Sequence, residues 1–417
     1  MRKFLYTTIF LLLLLLVTLI LLELGARGFM LVSNKARFLG HDFISDVLYD
    51  DIDNLESLLD ATCFGYEPFT ENYGFVLNSK GFRTKEYERK KPEGTYRIVF
   101  LGDSFTINSG PLPYEHHWVR HLDQWASERF GERVELINLG IPCSGPEFQK
   151  RLWEIEAASL EPDLVVHAFC TVNDYQDDVA LKTQQGRNVG IEIGAETSFR
   201  ESIFRALYKA SAFVRMLHNV LKLQGVEQTA DDLPTATMAP DEYDHGGFAV
   251  ETRPFDPDQA SYTESMYLTV NKAFLGWLHE DFREYFDQQA EGAHAALRAM
   301  YDSIRASGAT LLVVIVPGEH QVDQEFFNVV IDSMGLPAEE FDLELPQVTL
   351  RNMLDEEGIP YIDLLDTFRQ AHSGPNSLYI LRDSHWNPAG NALAAETIEP
   401  VLEQIITRDM MAEASTP

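Results

Sequence analysis

From residue 97 to the C terminus, short apolar segments alternate with longer amphipathic ones. The apolar segments have the length and composition of buried strands, and they are Ile98–Leu101, Val134–Ile137, Leu164–Phe169, Thr310–Val316 and Tyr361–Leu364. This alternation specifies a parallel sheet with helices on both faces. We therefore predict an α/β fold.

The connecting segments carry apolar residues at helical spacing. The stripe after the first strand contains Trp118, Leu122 and Trp125, and the stripe after the second strand contains Phe148, Leu152 and Ile155. The stripe before the fourth strand contains Leu297, Met300 and Ile304. Gly308 is the expected C-cap of the third of these helices. The last helix begins at Pro388, because proline suits a first helical turn.

The third and fourth strands are separated by far more residues than one crossover needs. We assign an insertion to residues 180–286. It contains an amphipathic helix with several basic residues over 201–223, a polar loop over 231–258 and a second helix over 264–286. We interpret the basic helix as internal packing, with contact to a membrane surface as the alternative.

The N terminus has the pattern of a membrane anchor. Arg2 and Lys3 precede an apolar run from Phe4 to Leu22, which suits a membrane span better than a signal-peptide core. Basic residues on the N-terminal side place that end in the cytoplasm and the remaining chain outside it. We predict an uncleaved single-pass anchor in the cytoplasmic membrane; a cleaved signal peptide is the alternative.

These features divide the chain into an anchor (1–24), a tether and lead-in (25–95), an α/β domain (96–408) that contains the insertion, and a tail (409–417). Within the lead-in, the stretch Asn72–Arg83 suggests a hairpin with a turn at residues 79–81. The charged run Lys85–Lys91 is interpreted as a solvated loop.

The net charge of −32 argues against nucleic acid or anionic lipid as the main partner. The three cysteines, Cys63, Cys143 and Cys170, show neither metal-ligand spacing nor a disulfide-rich pattern. At most one bridge is possible, and we expect buried free thiols. The sequence has no phosphate-binding glycine loop and no histidine pair at metal-ligand spacing, so it implies no cofactor and no metal.

The candidate catalytic residues fall at one edge of the predicted sheet. Ser104 ends the first strand, Asn173 follows the third, and Asp383 and His385 lie just before the last helix. Nucleophilic acyl transfer needs a hydroxyl, a base, a group that orients the base and donors for the oxyanion. Each residue alone has an ordinary structural explanation, such as a helix cap, a turn or core packing. Their order and common edge favour catalysis.

Four motifs in this order resemble the SGNH/GDSL hydrolase superfamily, in particular the membrane-anchored bacterial branch related to alginate O-acetyltransferase-like proteins. The motifs are Gly102-Asp-Ser-Phe105, Asn138-Leu-Gly-Ile-Pro-Cys143, Asn173-Asp174 and Asp383-Ser-His-Trp-Asn-Pro-Ala-Gly390. The resemblance covers residues 97–406 and leaves the insertion uncovered.

The resemblance implies a three-layer α/β/α flavodoxin-like fold and metal-free cleavage or transfer of acyl esters. It implies Ser104 as nucleophile, His385 as base and Asp383 as acid, with oxyanion donors at Ser104, Cys143 and Asn173. The chain departs from the family pattern at three positions. Cys143 and Thr171 replace glycines, and Arg382 stands three residues before the histidine, where the acid is common.

Three functions are compatible with these residues. The first is a membrane-tethered serine esterase or deacetylase that removes O-acyl groups from an acylated small molecule or an envelope glycan. The acyl group that we expect is O-acetyl. The second is an O-acetyltransferase of an envelope or exported polysaccharide, working with polysaccharide machinery and using the same residues. The third is a non-catalytic protein for glycan binding or assembly, suggested by Cys143 and Thr171.

Overall fold

The computed structural model describes residues 55–60, 68–72, 74–107, 111–177, 248–249 and 254–414, with residues 6, 14, 17, 18, 20–27, 211, 213, 214 and 217. The chain divides into two compact units. One is formed by Met1–Val47 and Ala180–Leu233, and the other by Leu48–Val179 and Pro234–Pro417. The second unit contains the sheet and all the candidate catalytic residues.

Five parallel strands form the central sheet of this unit. They are β3 (Tyr96–Gly102), β4 (Val134–Asn138), β5 (Leu164–Cys170), β7 (Thr310–Val316) and β8 (Tyr361–Asp363). Their order across the sheet is β4-β3-β5-β7-β8. Counted along the chain this order is 2-1-3-4-5, that of a doubly wound flavodoxin-like sheet, which places the switch point between the first and third strands. The predicted parallel α/β fold is confirmed.

Helices cover both faces of the sheet, and we number those of the second unit in chain order. They are α1 (Leu55–Asp60), α2 (Ser104–Ile107), α3 (Trp118–Phe130), α4 (Pro146–Ile155), α5 (Glu264–Gly276), α6 (Arg283–Ser307), α7 (Glu319–Val322), α8 (Gln324–Met334), α9 (Leu345–Glu357), α10 (Leu365–Ala371) and α11 (Pro388–Ala414). Helices α3, α10 and α11 pack together on one face, and α4, α6 and α9 pack on the other.

The apolar stripes predicted for these helices lie in the core. Trp118 and Leu122 of α3 are fully buried against Phe100 of β3, and Leu402 of α11 belongs to the same cluster. Helix α6 ends at Gly308, whose left-handed conformation closes the helix, as predicted. Helix α11 runs to Ala414, so the last part of the domain and the start of the predicted tail are one helix.

A small antiparallel sheet contains β1 (Glu71–Asn72), β2 (Phe75–Val76) and β6 (Phe248–Ala249). This region contains a hairpin, but not the predicted one, because its strands pair Glu71 with Val76 and its turn precedes residue 75. Residues 79–81 form a separate turn, because the Asn78 carboxamide oxygen accepts from the backbone N–H groups of Lys80 and Phe82.

The charged run of the lead-in is a largely exposed loop, as predicted, but some of its side chains also contact the domain. The Glu156 carboxylate is almost fully buried, and it is contacted by the Lys80 ammonium, by Arg89 at 3.2 Å and by the Tyr87 hydroxyl at 3.0 Å. The Lys91 ammonium lies 2.5 Å from Asp163. Opposite charges on the domain therefore bind this segment to the surface beside α4.

The predicted membrane anchor, Phe4–Leu22, lies largely outside the described residues, as does the basic helix predicted over 201–223. Of the residues that the structure does describe, none forms a helix with the length and apolar character needed to cross a membrane. Helices α8 and α9, which precede the fifth strand, were not predicted by the apolar spacing.

Candidate active site

The turn that presents Ser104 depends on a glycine. Gly102 ends β3 with a φ of +152°, and a Cβ atom there would lie 2.2 Å from the Thr106 hydroxyl and 2.8 Å from the carbonyl of Ala168. Both the backbone conformation and the close approach of β5 therefore require glycine. The next two residues, Asp103 and Ser104, lie at the carboxyl end of the strand and beside the switch point of the sheet.

The second motif packs against the turn that carries Ser104. The Asn138 amide donates to the Thr106 carbonyl at 2.7 Å, and its oxygen accepts from the Gly140 N–H at 2.9 Å. A Cβ on Gly140 would lie 2.6 Å from the backbone nitrogen of Ile107. The asparagine and the glycine of this motif are thus needed to pack one loop against helix α2.

The fourth motif is held in place by its asparagine and its glycine. The Asn387 carboxamide oxygen accepts from the N–H groups of Ala389 at 2.8 Å and Gly390 at 3.0 Å, which caps the start of α11. A Cβ on Gly390 would lie 2.2 Å from the Leu378 carbonyl. The loop that carries His385 is therefore pressed against the first turn of α11.

Ser104, His385 and Asp383 form one continuous chain of hydrogen bonds. The Ser104 hydroxyl lies 2.8 Å from Nε2 of His385, and Nδ1 of His385 contacts Oδ1 of Asp383. This pairing puts a proton acceptor on the hydroxyl and a carboxylate on the other ring nitrogen, which is the arrangement that activates a serine for attack. The structure brings together three residues that lie 281 positions apart at most.

The charges around His385 make its imidazole more basic than usual. Burial lowers the pKa of His385, but the Asp383 carboxylate, through its charge and its hydrogen bond, and the charge of Asp103 outweigh burial and raise the pKa above 6.5. The side chain keeps 22% of its surface exposed, so burial is incomplete. The imidazole ring packs on the ring of Phe105, with ring centres 4.9 Å apart.

Asn173 lies beside the nucleophile, but its amide already has two partners. Its Nδ2 donates to Asp103 at 2.9 Å and to Asp177 at 2.6 Å. To donate to an oxyanion, the amide must turn from one of these carboxylates or share a hydrogen with it. The structure thus places Asn173 at the site without showing it poised as an oxyanion donor.

Cys143 lies in the loop between β4 and α4 in a left-handed conformation, with a φ of +56°. A non-glycine residue adopts this conformation only where the surroundings hold it. Cys143 is disulfide-bonded, whereas Cys170 is a buried free thiol. The prediction of free thiols is therefore wrong for Cys143; Cys63 lies outside the described residues.

The two other departures from the family pattern have structural explanations. The Thr171 hydroxyl donates to the Val316 carbonyl at 3.1 Å and accepts from the Gln347 amide at 2.9 Å, which ties β5 to β7 and α9. Arg382 points to Glu264, at 3.5 Å, and leaves Asp383 as the carboxylate on His385.

Asp103 is a site residue that the sequence reasoning did not single out. It is fully buried and accepts from the Phe105 N–H at 2.9 Å and from the Asn173 amide. Burial raises the pKa of Asp103, and these hydrogen bonds oppose the rise. Its position in the motif between Gly102 and Ser104 could have marked it as a site residue in the sequence.

Three carboxylates beside the site have oxygens within 4.8 Å of one another: Asp103, Asp174 and Asp177. Backbone and amide donors already occupy part of this cluster, since Asp174 accepts from the Cys170 N–H at 2.9 Å and Asn173 donates to the other two. A cluster of this kind does not by itself indicate a metal ion.

Comparisons with known proteins fit this geometry. Residues 274–414 match a family described as the SGNH hydrolase-like domain of the acetyltransferase AlgX. The matched part contains Asp383 and His385 and begins after Ser104. A search of curated proteins gave no significant match.

Solved structures give weaker similarities. A catalytic mutant of Axe2, an acetylxylan esterase from Geobacillus stearothermophilus, is 11% identical with a TM-score of 0.37, over 74% of this chain and 94% of that chain. The acetyl xylan esterase AlAXEase is 13% identical with a TM-score of 0.36, over 73% and 98%. TesA is 12% identical with a TM-score of 0.36, over 74% and 99%. Sequence identities and TM-scores this low do not establish an evolutionary relationship.

The family match confirms two predictions, namely the relation to the SGNH superfamily and an enzyme that acts on ester bonds, with acetyl transfer as a variant. Residues 274–414 are therefore similar to the SGNH hydrolase-like domain of AlgX.

Proposed function

We propose that this protein is a serine esterase or deacetylase that removes O-acetyl groups from a glycan or another acylated substrate through a Ser104 acyl-enzyme. One observation carries the proposal: the Ser104 hydroxyl, His385 and Asp383 form an uninterrupted hydrogen-bonded chain at the carboxyl edge of the sheet.

In the first half of the reaction, Ser104 Oγ attacks the ester carbonyl while Nε2 of His385 takes the hydroxyl proton. Asp383 stabilises the imidazolium that forms. The oxyanion is bound by the backbone N–H groups of Ser104 and Cys143 and by the amide of Asn173 once it turns from its carboxylates. The imidazolium then protonates the leaving alkoxide, which departs as the alcohol and leaves the acyl group on Ser104.

In the second half, an acceptor attacks the acyl-enzyme, and His385 takes its proton. Water as acceptor gives hydrolysis, and a sugar hydroxyl gives transfer. The serine proton returns from His385 when the ester bond to Ser104 breaks. The chemistry of the chain's own residues is the same in both cases.

Acetyl transfer is the second candidate because the matched family is described by the acetyltransferase AlgX. In this case the acyl group moves to an envelope or exported polysaccharide. Water must then be kept from the acyl-enzyme, and the acceptor hydroxyl must be bound more readily than water.

The place of action is also a proposal. The apolar run Phe4–Leu22 supports a single-pass anchor in the cytoplasmic membrane. The disulfide at Cys143 supports an extracytoplasmic catalytic domain, since disulfides persist in oxidising compartments. Assembly with polysaccharide machinery would follow from this location.

The test is turnover of p-nitrophenyl acetate by the full-length protein, with and without an added polysaccharide acceptor. Release of p-nitrophenol with acetate as the other product supports the esterase. Acetylated polysaccharide in place of free acetate supports the transferase. No release of p-nitrophenol above that of the Ser104→Ala variant contradicts both.

A further inference from the structure

The loop that carries the base contains two residues in the left-handed conformation. Arg382 has a φ of +53° and Ser384 a φ of +73°, and they lie on either side of Asp383. A non-glycine residue keeps this conformation only where neighbouring groups hold it. The direction of the Asp383 carboxylate therefore depends on what holds these two residues.

The loop has hydrogen bonds of its own, from the Asp383 N–H to the Ile380 carbonyl at 3.1 Å and from the Ile380 N–H to the His385 carbonyl at 2.9 Å. Further contacts come from the end of the insertion. The Ser261 N–H donates to the Leu381 carbonyl at 3.2 Å, and Glu264 pairs with Arg382 at 3.5 Å. The Ser384 hydroxyl donates to the Tyr267 hydroxyl at 3.4 Å. Residues 261–267 thus contact the catalytic loop on both sides of Asp383.

The side chain of Tyr267 is held by packing and by a hydrogen bond. It lies on α5 with 5% of its surface exposed, and its ring stacks on Phe326 with centres 5.1 Å apart. Its hydroxyl donates to the Glu319 carboxyl group, on the short helix α7 that follows β7. The hydroxyl that meets Ser384 is therefore held by packing on one side and by a hydrogen bond on the other.

The charge state of Glu319 suits this role. Burial raises the pKa of Glu319 to about 8; the hydrogen bond from Tyr267 opposes the rise, and the charges of Asp323 and Asp383 add to it. Below that pH the group is neutral, so Tyr267 is held without a second negative charge beside Asp383.

We propose that residues 261–267 of the insertion are a positioning clamp for the catalytic loop, in which Tyr267 holds the Ser384 turn so that Asp383 faces His385. The inference rests on the proposed esterase chemistry. Tyr267 does not touch the reacting atoms; it is a positioning residue that acts through Asp383. The insertion therefore contributes to the geometry of the active site.

The experiment is the pH–rate profile of p-nitrophenyl acetate hydrolysis by the full-length wild type and three variants: Tyr267→Phe, Ser384→Ala and the double variant. Each single change removes one hydroxyl of the same hydrogen bond. Tyr96→Phe is the matched control, because Tyr96 also donates to a carboxylate, that of Asp409 at 2.8 Å, but from the opposite end of β3.

We expect Tyr267→Phe to lower kcat about 10-fold with KM within about twofold of the wild type, since small misplacements of catalytic groups are costly. A looser Asp383–His385 contact lowers the pKa of His385, so the acid limb of the profile should move to lower pH. Ser384→Ala should behave alike, and the double variant should be no worse than either single variant. Tyr96→Phe should change the unfolding midpoint alone.

The inference is overturned if the wild type turns over the substrate and both single variants keep the wild-type kcat and acid limb. The proposed function then still stands. Additive losses in the double variant also overturn the inference, because the two hydroxyls then act separately. Absence of turnover in the wild type overturns the proposed function, and the inference with it. Should Tyr267→Phe fail to fold, Ser384→Ala decides the matter, since its side chain is only partly buried.

Discussion

At the scale of single residues, Asp383 sets the basicity and the orientation of His385. Its carboxylate contacts Nδ1, which leaves Nε2 free to accept the proton of Ser104. Asp383→Asn would keep the size of the side chain but remove the charge and favour the wrong imidazole tautomer. We expect kcat to fall by about 10⁴-fold, as in other serine triads. Steady-state kinetics with p-nitrophenyl acetate would measure this.

The control for that variant is its unfolding midpoint, which should stay close to that of the wild type. A loss of activity that merely follows a loss of folded protein would not support a catalytic role. An unchanged kcat in a folded Asp383→Asn protein would assign the orienting role to another carboxylate.

The raised pKa of His385 also predicts the pH dependence of activity. A protonated imidazole cannot accept the serine proton, so kcat/KM should fall as the pH drops through the pKa of His385 in the free enzyme. Because the Asp383 charge raises that pKa, we expect the midpoint of the acid limb above 6.5. A midpoint below 6.5 in the wild type would show that burial, which lowers the pKa, outweighs the carboxylates.

A residue could be predicted from the sequence when a local sequence pattern determines its position in the fold. Ser104 and His385 lie at strand or helix ends, so a pattern of apolar segments places them at one edge. Tyr267 and Glu319 act through packing between distant segments, and no local pattern marks them. The disulfide of Cys143 was missed for the same reason, because cysteine spacing along the chain does not give distances in space.

At the scale of elements, Gly390 fixes the distance between α11 and the loop that carries His385. A methyl group there would lie 2.2 Å from the Leu378 carbonyl and 3.0 Å from Cβ of Trp386. We expect Gly390→Ala to lower the free energy of unfolding by about 1–3 kcal/mol, as overpacking does, and to lower kcat by shifting the loop. Denaturant unfolding and steady-state kinetics on the same samples would show both effects.

Gly292→Ala is the matched control for that variant. Gly292 also lies in a helix, α6, and a Cβ there would meet open space. Alanine should therefore stabilise the protein by about 0.5–1 kcal/mol, because it restricts the unfolded chain and favours helix. Equal effects of the two variants would mean that the close approach at Gly390 carries no strain.

The strands were predicted better than the helices, for a physical reason. The three central strands of the parallel sheet, β3, β5 and β7, are buried along almost their whole length, so each appears in the sequence as a short apolar run. Thr310–Val316 was predicted to the residue. Helices α8 and α9 lie between the fourth strand and the fifth, and their exposed faces carry apolar residues such as Val329 and Val348, which blurs the amphipathic pattern.

At the scale of the whole molecule, the lead-in segment is bound to the domain by buried charge. Lys80 and Arg89 pair with Glu156, whose side chain is 1% exposed. Removing a partner of a buried ion pair costs about 3–5 kcal/mol when the other charge is left alone. Because Glu156 keeps Arg89 and Tyr87, we expect Lys80→Met to cost about 1–3 kcal/mol, measured by denaturant unfolding.

Lys85→Met is the control from the same segment. Lys85 lies 3.6 Å from Asp123, but its side chain is 70% exposed. An exposed pair of this kind contributes about 0–1 kcal/mol. A loss as large for Lys85→Met as for Lys80→Met would show that the charge of the segment, and not the buried contact at Glu156, holds it.

The sequence interpretation of this segment missed its ion pairs because a run of charges looks the same in the sequence whether its members are solvated or paired. The partners, Glu156 and Asp163, lie more than 60 positions away along the chain. The charge pattern of one segment therefore could not show that its complement lies on the surface beside α4.

The central claim is that His385 activates Ser104, and labelling with a fluorophosphonate probe tests it without knowledge of the natural acceptor. The full-length wild-type protein and the Ser104→Ala and His385→Ala variants would be treated together, and the labelled residue identified by mass spectrometry. We predict that Ser104 is labelled in the wild type and that labelling is lost in both variants. Labelling that persists in His385→Ala, or a folded wild type that is not labelled, would contradict the account.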